Sequence, residues 1–153
     1  MQREKSAGAV IFHKGEYGVE QKIPRVRTEQ SSVLYLLLKY PTGHWDFVKG
    51  HVEKGETEEE AAMREAKEET GLDIKIVDGF KQKIKYFFYH EKDLINKEVI
   101  FFLAQAKTKE VKLSFEHQGF KWLPYEQALK QLTYKNAKGI LKQAGKFLNE
   151  KKG

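Results

Sequence analysis

Three glutamates, Glu65, Glu68 and Glu69, fall within a stretch of five residues in a chain whose formal net charge is +6. On a helix, side chains three and four positions apart share a face, so these like charges repel each other by a few tenths of a kcal/mol per pair. A solvated charged surface is the usual interpretation of such a cluster. A bound cation would remove the repulsion, because carboxylates are hard oxygen ligands of the kind that Mg²⁺ and Mn²⁺ take.

The loop before these glutamates favours the cation hypothesis. Its sequence, KGHVEKGE, contains Gly50 and Gly55. Glycine backbone turns sharply without a steric penalty, so this loop can bring carbonyl groups near the carboxylates. The combination of carboxylates and a glycine loop therefore predicts a site for a divalent metal ion.

The glutamates are predicted to lie on a helix from Glu58 to Thr70. Thr57 and Glu60 have the spacing of a capping box, and Gly71 is placed to end the helix. All three glutamates fall in the last turns of this helix, where the helix dipole disfavours anions. Small or apolar residues are predicted to pack against a sheet and to leave the three carboxylates on the opposing face: Ala62, Met63 and Ala66.

The rest of the chain supplies the elements that must position this helix. Short apolar, β-branched or aromatic runs predict four strands: Ala7 to His13, Val33 to Lys39, Lys83 to Tyr89 and Glu98 to Ala106. The polar segment 14–32, broken by Gly and Pro, predicts a surface excursion. A helix from Asn136 to Asn149 is predicted to cover one face of the sheet. No repeat or linker divides the chain, so residues 1–153 are expected to form a single domain.

Composition limits the possible classes of function. A chain of 153 residues is long enough to bury roughly two-thirds of its unfolded surface. The absence of cysteine excludes disulfides, thiolate metal sites and thiol catalysis. No apolar run approaches the ~20 residues of a membrane span, so we expect a cytoplasmic protein with no membrane partner. The 28 basic residues are scattered along the chain, which favours a solvated surface over an obligate nucleic-acid partner.

The segment from Gly50 to Leu72 resembles the Nudix box. Its fixed positions are matched by Gly50, Glu56, Arg64-Glu65, Glu68-Glu69 and Gly71-Leu72, and Ala66 stands where a bulkier aliphatic residue is preferred. The resemblance implies an α+β protein with the Nudix fold, an α/β/α sandwich whose mixed sheet is flanked by the box helix and a C-terminal helix. It also implies Mg²⁺-dependent hydrolysis of a nucleoside diphosphate linked to another group, with Mn²⁺ as a possible replacement.

The same resemblance assigns roles to individual residues. It implies carboxylate metal ligands at Glu65, Glu68 and Glu69, with the carbonyl oxygen of Lys49 as a further ligand. Glu56 and Arg64 resemble the buried pair that orients those ligands. Beyond the box, Glu116 is our candidate for an additional metal ligand or for the general base, and the sequence leaves both roles open.

The flanking segments suggest a narrower group within the family. The runs LLLKYPTGHWDFVKGHVEKGE and LSFEHQGFKWL resemble the asymmetric diadenosine tetraphosphate hydrolases of animal and archaeal type, which would produce ATP and AMP. Two features depart from that pattern. Asp46-Phe47-Val48 replaces a proline-rich turn, and the segment HEKDLIN after Tyr89 is longer than usual.

Contacts to a dinucleoside polyphosphate can also be proposed. Its phosphates need cationic donors, for which the candidates are His44, Lys49 and Lys97. An adenine needs a flat aromatic slot, and Tyr86 with Tyr134 are the candidates for stacking. Lys97 could equally be a solvated surface charge. We expect packing roles for Trp45 and Trp122 and no catalytic role for His51.

Two alternatives remain at this stage. The first is a Nudix pyrophosphohydrolase acting on nucleoside triphosphates, damaged nucleotides or RNA 5′ ends. The second belongs to a different class, a non-catalytic nucleotide- or RNA-binding module, although loss of box carboxylates usually marks such proteins. We expect the chain to act as a monomer on a small-molecule substrate.

Overall fold

The computed structural model describes residues 2–15 and 33–152, so most of the predicted excursion over 14–32 lies outside the described residues. The described ranges contain seven strands: β1 (Gln2–Lys14), β2 (Val33–Lys39), β3 (Trp45–Asp46), β4 (Val48–His51), β5 (Ile74–His90), β6 (Asp93–Ala106) and β7 (Gly119–Leu123). They contain three helices: α1 (Glu58–Thr70), α2 (Tyr125–Gln131) and α3 (Lys135–Lys152). None of these helices is both long and apolar enough to cross a bilayer.

The strands form one mixed sheet around β1. On one side β1 pairs in parallel with β6, which is joined to β5 as an antiparallel hairpin. On its other side β1 pairs with β4 at Ser6 to Ala9 and with β2 at Phe12 to Lys14, both antiparallel. β3 and β7 pair with β2. Because β1 contacts β4 directly, residues of the glycine loop are held at the centre of the sheet.

The helices cover the sheet on both faces. On one face, α1 packs through its alanines into apolar clusters with β1 and β6 residues such as Ala7 and Ile100. On the other face, Leu132 and Leu141 from the α2–α3 region are buried with Val10 and Phe101. The predicted α+β class and the α/β/α layering are confirmed.

Helix α1 has the predicted bounds and caps. The Glu60 amide donates to the Thr57 hydroxyl at 3.1 Å, and the Thr57 amide donates to the Glu60 carboxylate at 2.9 Å. Gly71 ends the helix in the left-handed conformation, with φ of 74°. Both predictions are confirmed. The caps could be predicted from the sequence because their hydrogen bonds are local and need no tertiary contact.

The predicted assignment of side chains to the faces of α1 is partly wrong. Met63 is 40% exposed, while Ala61 is fully buried in its place. Glu69 is only 6% exposed and therefore does not lie on a face opposed to the buried one. On a helix, Glu69 follows Ala62 by seven positions and so returns to the same side as that alanine.

All four predicted strands exist, but some elements were missed. β2 has the predicted bounds, whereas β5 begins nine residues earlier than predicted, at Ile74 rather than Lys83. A register irregularity between Ile76 and Lys81, with Gly79 at φ of 99°, interrupts the apolar alternation there. β3, β4 and β7 have two, four and five residues, too short for a periodic signal.

Candidate active site

The glycine loop lies directly against the acidic helix. A Cβ atom built on Gly50 would lie 2.0 Å from Cδ of Glu65, so only glycine lets this carboxylate approach the backbone so closely. The expected sharp turn is at Gly55 instead, where φ is 85°. Gly50 therefore serves close approach, and Gly55 serves the turn that leads into α1.

Arg64 holds the loop and the helix together. Its Nε and Nη2 atoms donate to the two carboxylate oxygens of Glu56 at 2.5 and 3.0 Å, and Nη2 also donates to the carbonyl of His51 at 2.9 Å. Its Nη1 atom donates to Glu65 at 2.9 Å and to Glu68 at 3.1 Å. The hydrogen bonds to Glu56 raise the pKa of Arg64, which stays charged. Arg64 therefore orients the Glu65 carboxylate.

Glu69 is paired with a histidine from a distant loop. Its carboxylate makes a hydrogen bond to Nε2 of His117, and both side chains are buried. The loop is anchored to the end of α1, because the Ser114 amide donates to the Glu69 carbonyl at 3.0 Å and the Lys112 amide donates to the Thr70 carbonyl at 2.8 Å. His117 was given no role by sequence reasoning, although its position between Glu116 and Gln118 in a motif-like triplet was a signal.

The carboxylates are poorly solvated. Burial, reinforced by the neighbouring Glu69 carboxyl, raises the pKa of Glu65 to about 7. Burial also raises the pKa of Glu69 and lowers that of His117. Desolvation thus disfavours the negative charge of Glu65 and Glu69, and a bound cation would stabilise that charge.

The donor set fits a hard divalent cation. Carboxylate oxygens from Glu65, Glu68 and Glu69 come from one end of α1, and Lys49 in β4 lies on the wall of the same cavity. Within residues 2–15 and 33–152, no three acidic or histidine side chains already converge on one point, because Glu68 is turned toward Arg64 and Glu69 toward His117. The chemistry of the ligands matches the prediction, and these two side chains would have to turn to bind an ion.

The carboxylates face a cavity of about 750 Å³. Its walls come from β4, from α1 and from the loop before β7, and they include Glu65, Glu68, Glu69 and His117. Glu116 is exposed at the wall of this cavity, within electrostatic reach of Glu69. The structure therefore brings Glu116 to the box glutamates, 47 residues away in sequence from Glu69.

A second cavity, of about 590 Å³, has aromatic and apolar side chains among its lining residues. It brings together Tyr86 and Tyr134, which are 37% and 51% exposed. Lys49 lines both this cavity and the carboxylate-lined one. The predicted stacking pair and the predicted metal ligands thus occupy adjoining cavities that meet at Lys49.

The two other predicted phosphate contacts differ in position. His44 lines the second cavity, with its ring stacked on Tyr40 at 4.7 Å and near Tyr134 at 5.3 Å. Lys97 is on the lining of neither cavity. Its ammonium is buried and donates to the Ser6 hydroxyl at 2.7 Å, and burial lowers its pKa. Lys97 is therefore not a solvated surface charge, whereas Lys49 is a cation that lines both cavities.

The two tryptophans and His51 make structural contacts. Trp45 and Trp122 are partly buried and pack against the two main apolar clusters, as expected. His51 is exposed and contributes its carbonyl oxygen to Arg64. These contacts give none of the three residues a role in the reaction.

Comparison with known proteins agrees with this geometry. The NUDIX domain matches residues 21–144. The chain is 34% identical over 151 residues to a bis(5′-nucleosyl)-tetraphosphatase [asymmetrical] from Sus scrofa, covering 94% of this chain and 95% of that protein. It is also 34% identical over 145 residues to the Caenorhabditis elegans protein of the same name, covering 94% and 96%.

A solved structure is similar over nearly the whole length. The C. elegans Ap4A hydrolase binary complex superposes with a TM-score of 0.75 at 31% identity, covering 96% of this chain and 98% of that one. Nudix hydrolases generally use divalent metal ions, in keeping with the donor set described above. The box residues, the sandwich fold and the similarity over nearly the full chain establish that the chain belongs to the NUDIX family and is a Nudix hydrolase related to the asymmetrical tetraphosphatases.

Proposed function

We propose that the chain hydrolyses dinucleoside polyphosphates and splits diadenosine tetraphosphate into ATP and AMP with Mg²⁺. One observation carries the proposal: a carboxylate-lined cavity and an aromatic cavity adjoin at Lys49. A dinucleoside polyphosphate could place a base in the aromatic cavity and its phosphates along Lys49 and the carboxylate-lined cavity. The names of the relatives that are about one-third identical over nearly the full chain support the same substrate class.

The carboxylate cavity is proposed to hold the metal ions. The ligands would be Glu65, Glu68, Glu69 and the carbonyl oxygen of Lys49. When bound, divalent cations supply positive charge to the phosphate oxygens and lower the pKa of a water molecule. The hydrogen bond from Arg64 Nη1 at 2.9 Å keeps Glu65 oriented toward the cavity. Arg64 therefore holds the Glu65 carboxylate in position before the substrate binds.

Glu116 is proposed to accept a proton from the attacking water. Its carboxylate is exposed at the cavity wall, which leaves it accessible to solvent and substrate. Glu116→Gln keeps the shape of the side chain and removes the basic oxygen. A loss of turnover with unchanged Mn²⁺ affinity supports the base role, whereas loss of Mn²⁺ affinity supports the ligand role. An unchanged rate and an unchanged Mn²⁺ affinity would show that Glu116 is an exposed residue with no role in the reaction.

The aromatic cavity is proposed to bind one adenosine. Tyr86 and Tyr134 offer their rings, and Ile84, Val99 and Phe101 supply an apolar wall. Base stacking is worth ~1–3 kcal/mol per base and tolerates different bases, because every base has a π-face. We therefore expect diguanosine and mixed dinucleotides to be substrates as well.

The test is a substrate panel with Mg²⁺ and chromatographic separation of the products. The panel contains diadenosine tetraphosphate, ATP and a 5′-triphosphate RNA oligonucleotide, which represent the leading function and its enzymatic alternative. We expect the dinucleotide to react fastest. Faster hydrolysis of ATP or of the RNA would overturn the substrate assignment and leave the family membership intact. A chain that binds these compounds without turnover would be a binding module.

Magnesium is proposed because the candidate ligands are all oxygen atoms, and Mn²⁺ suits the same donors. The monomeric state and the cytoplasmic location stay predictions from the sequence.

A further inference from the structure

Asp46 is a buried carboxylate whose contacts differ from those of the box glutamates. Its side chain is 6% exposed. One oxygen, Oδ1, accepts from the Phe47 amide at 2.7 Å, and the other, Oδ2, accepts from the ammonium of Lys49 at 3.0 Å. Both oxygens are therefore engaged, one by the backbone of the next residue and the other by a cationic side chain.

Lys49 occupies the place where the two cavities meet. It is on the walls of both the carboxylate cavity and the aromatic cavity, and Asp46 is on the wall of the second. A polyphosphate that runs from a base in the aromatic cavity to the carboxylates must pass this point. The ammonium of Lys97 donates to Ser6 instead, and the nearby His44 ring makes a hydrogen bond with Thr42 at 2.5 Å.

A lysine side chain without a hydrogen-bond partner samples several positions. Its four-carbon stem has several rotamers, and fixing them costs conformational entropy. The hydrogen bond to a buried, charged acceptor holds the Lys49 ammonium in a single position. Asp46 ends strand β3 and is itself held by the amide of the next residue, Phe47, which is fully buried in the core.

We propose that Asp46 is a positioning residue, which holds the Lys49 ammonium at the junction of the two cavities and thereby fixes the register of the polyphosphate relative to the carboxylates. This inference rests on the proposed function. It concerns Asp46, at the point where the chain departs from the proline-rich turn expected before the box. Asp46 touches no reacting atom in this role and acts through Lys49.

The expected kinetic signature follows from the charge of Asp46. Its negative charge repels a polyphosphate, so its removal does not weaken ground-state attraction. Its removal does release Lys49 from a fixed position, which reduces alignment in the transition state. Loss of the Asp46 charge should therefore lower kcat and leave KM unchanged or lower. A purely structural defect would instead lower the melting temperature, and a lost substrate contact would raise KM.

The experiment is a double-mutant cycle on the full chain. Asp46→Asn keeps the size of the side chain and an oxygen for the Phe47 amide, whereas Lys49→Met keeps the backbone carbonyl and removes the ammonium. Glu98→Gln is the matched control, because Glu98 also contacts lysines, Lys83 at 3.6 Å and Lys85 at 3.9 Å, but lines neither of these two cavities. Hydrolysis of diadenosine tetraphosphate gives kcat and KM, calorimetry with a methylene-bridged analogue gives Kd, and thermal unfolding gives Tm.

We expect Asp46→Asn to lower kcat about tenfold, since a hydrogen bond to a charged group is lost. KM and Kd should not rise. In the Lys49→Met background the same substitution should change kcat by less than about twofold, because Asp46 then has no ammonium to place. Glu98→Gln should match wild type.

An additive cycle, or a raised KM with unchanged kcat, would overturn the role of Asp46 while wild-type turnover still supported the proposed function. A wild-type chain that neither hydrolyses the dinucleotide nor binds its analogue would overturn both.

Discussion

The close approach of Gly50 to Glu65 makes Gly50→Ala a sharp test of the metal-ligand assignment. The added Cβ atom would lie 2.0 Å from Cδ of Glu65 and 2.2 and 2.4 Å from its two oxygens. Ordinary contact begins at 3.4 Å, so the carboxylate must retreat by about 1.4 Å. Arg64 holds one of these oxygens at 2.9 Å, and the Glu65 side chain is only 14% exposed, so the retreat breaks an existing arrangement.

The expected cost falls on catalysis more than on stability. Displacement of a positioned group by ~1 Å lowers turnover roughly 100-fold, which corresponds to about 2.7 kcal/mol in the activation free energy. The free energy of unfolding should change by about 1 kcal/mol or less, because the moving atoms are the end of a side chain and the broken ion pair is partly exposed. Mn²⁺ affinity should fall together with turnover.

The assay combines steady-state hydrolysis of diadenosine tetraphosphate with measurement of free Mn²⁺ by electron paramagnetic resonance. Gly139→Ala in α3 is the control, because a Cβ atom there has no neighbour within 4 Å. It should leave turnover unchanged and can stabilise the helix by up to ~1 kcal/mol. A Gly50→Ala protein with wild-type turnover and Mn²⁺ affinity would refute the placement of Glu65 as a ligand.

Three further predictions concern the site and the helix that carries it. Glu69→Gln keeps the size of a side chain that contacts His117 but removes its charge, so turnover should fall by orders of magnitude in a folded protein; near-normal Mg²⁺-dependent turnover would contradict the metal role. Tyr86→Ala should raise KM with a modest change in kcat, since stacking on a remote base is felt equally in ground and transition states; an unchanged KM would count against the aromatic slot. Thr57→Ala removes the oxygen that accepts from the Glu60 amide and should lower stability by ~1 kcal/mol, or about 2–4 °C in Tm; an unchanged Tm would show that the cap is dispensable.

Local chemistry made some features predictable from the sequence. The bounds of α1 follow from Thr57, Glu60 and Gly71, whose effects act within one turn. The uninterrupted apolar run of β2 predicted its bounds for the same reason. The box spacing also brought Glu56, Arg64 and Glu65 together, since all three lie within ten residues on one loop and helix.

Features that depend on distant contacts were harder to predict. His117 is 48 residues from Glu69, and nothing in the local sequence shows that the loop before β7 bonds to the end of α1. The short strands β3, β4 and β7 exist because longer neighbours pair with them. Lys97 cannot be told from 23 other lysines without knowing that its ammonium is buried beside Ser6.

Hydrolysis of diadenosine tetraphosphate in ¹⁸O-labelled water is the most direct test of the register in which the polyphosphate binds. With one adenosine in the aromatic cavity and the carboxylates fixed beyond Lys49, attack should occur at the terminal phosphorus farther from the stacked base. The bond from that phosphorus to its bridging oxygen then breaks, so the products are ATP and AMP with the label in AMP. Label in ATP would place the attack at the neighbouring phosphorus, with cleavage of its own bond to the same bridging oxygen, and would contradict the predicted register. Two ADP as the main product would contradict a single asymmetric register.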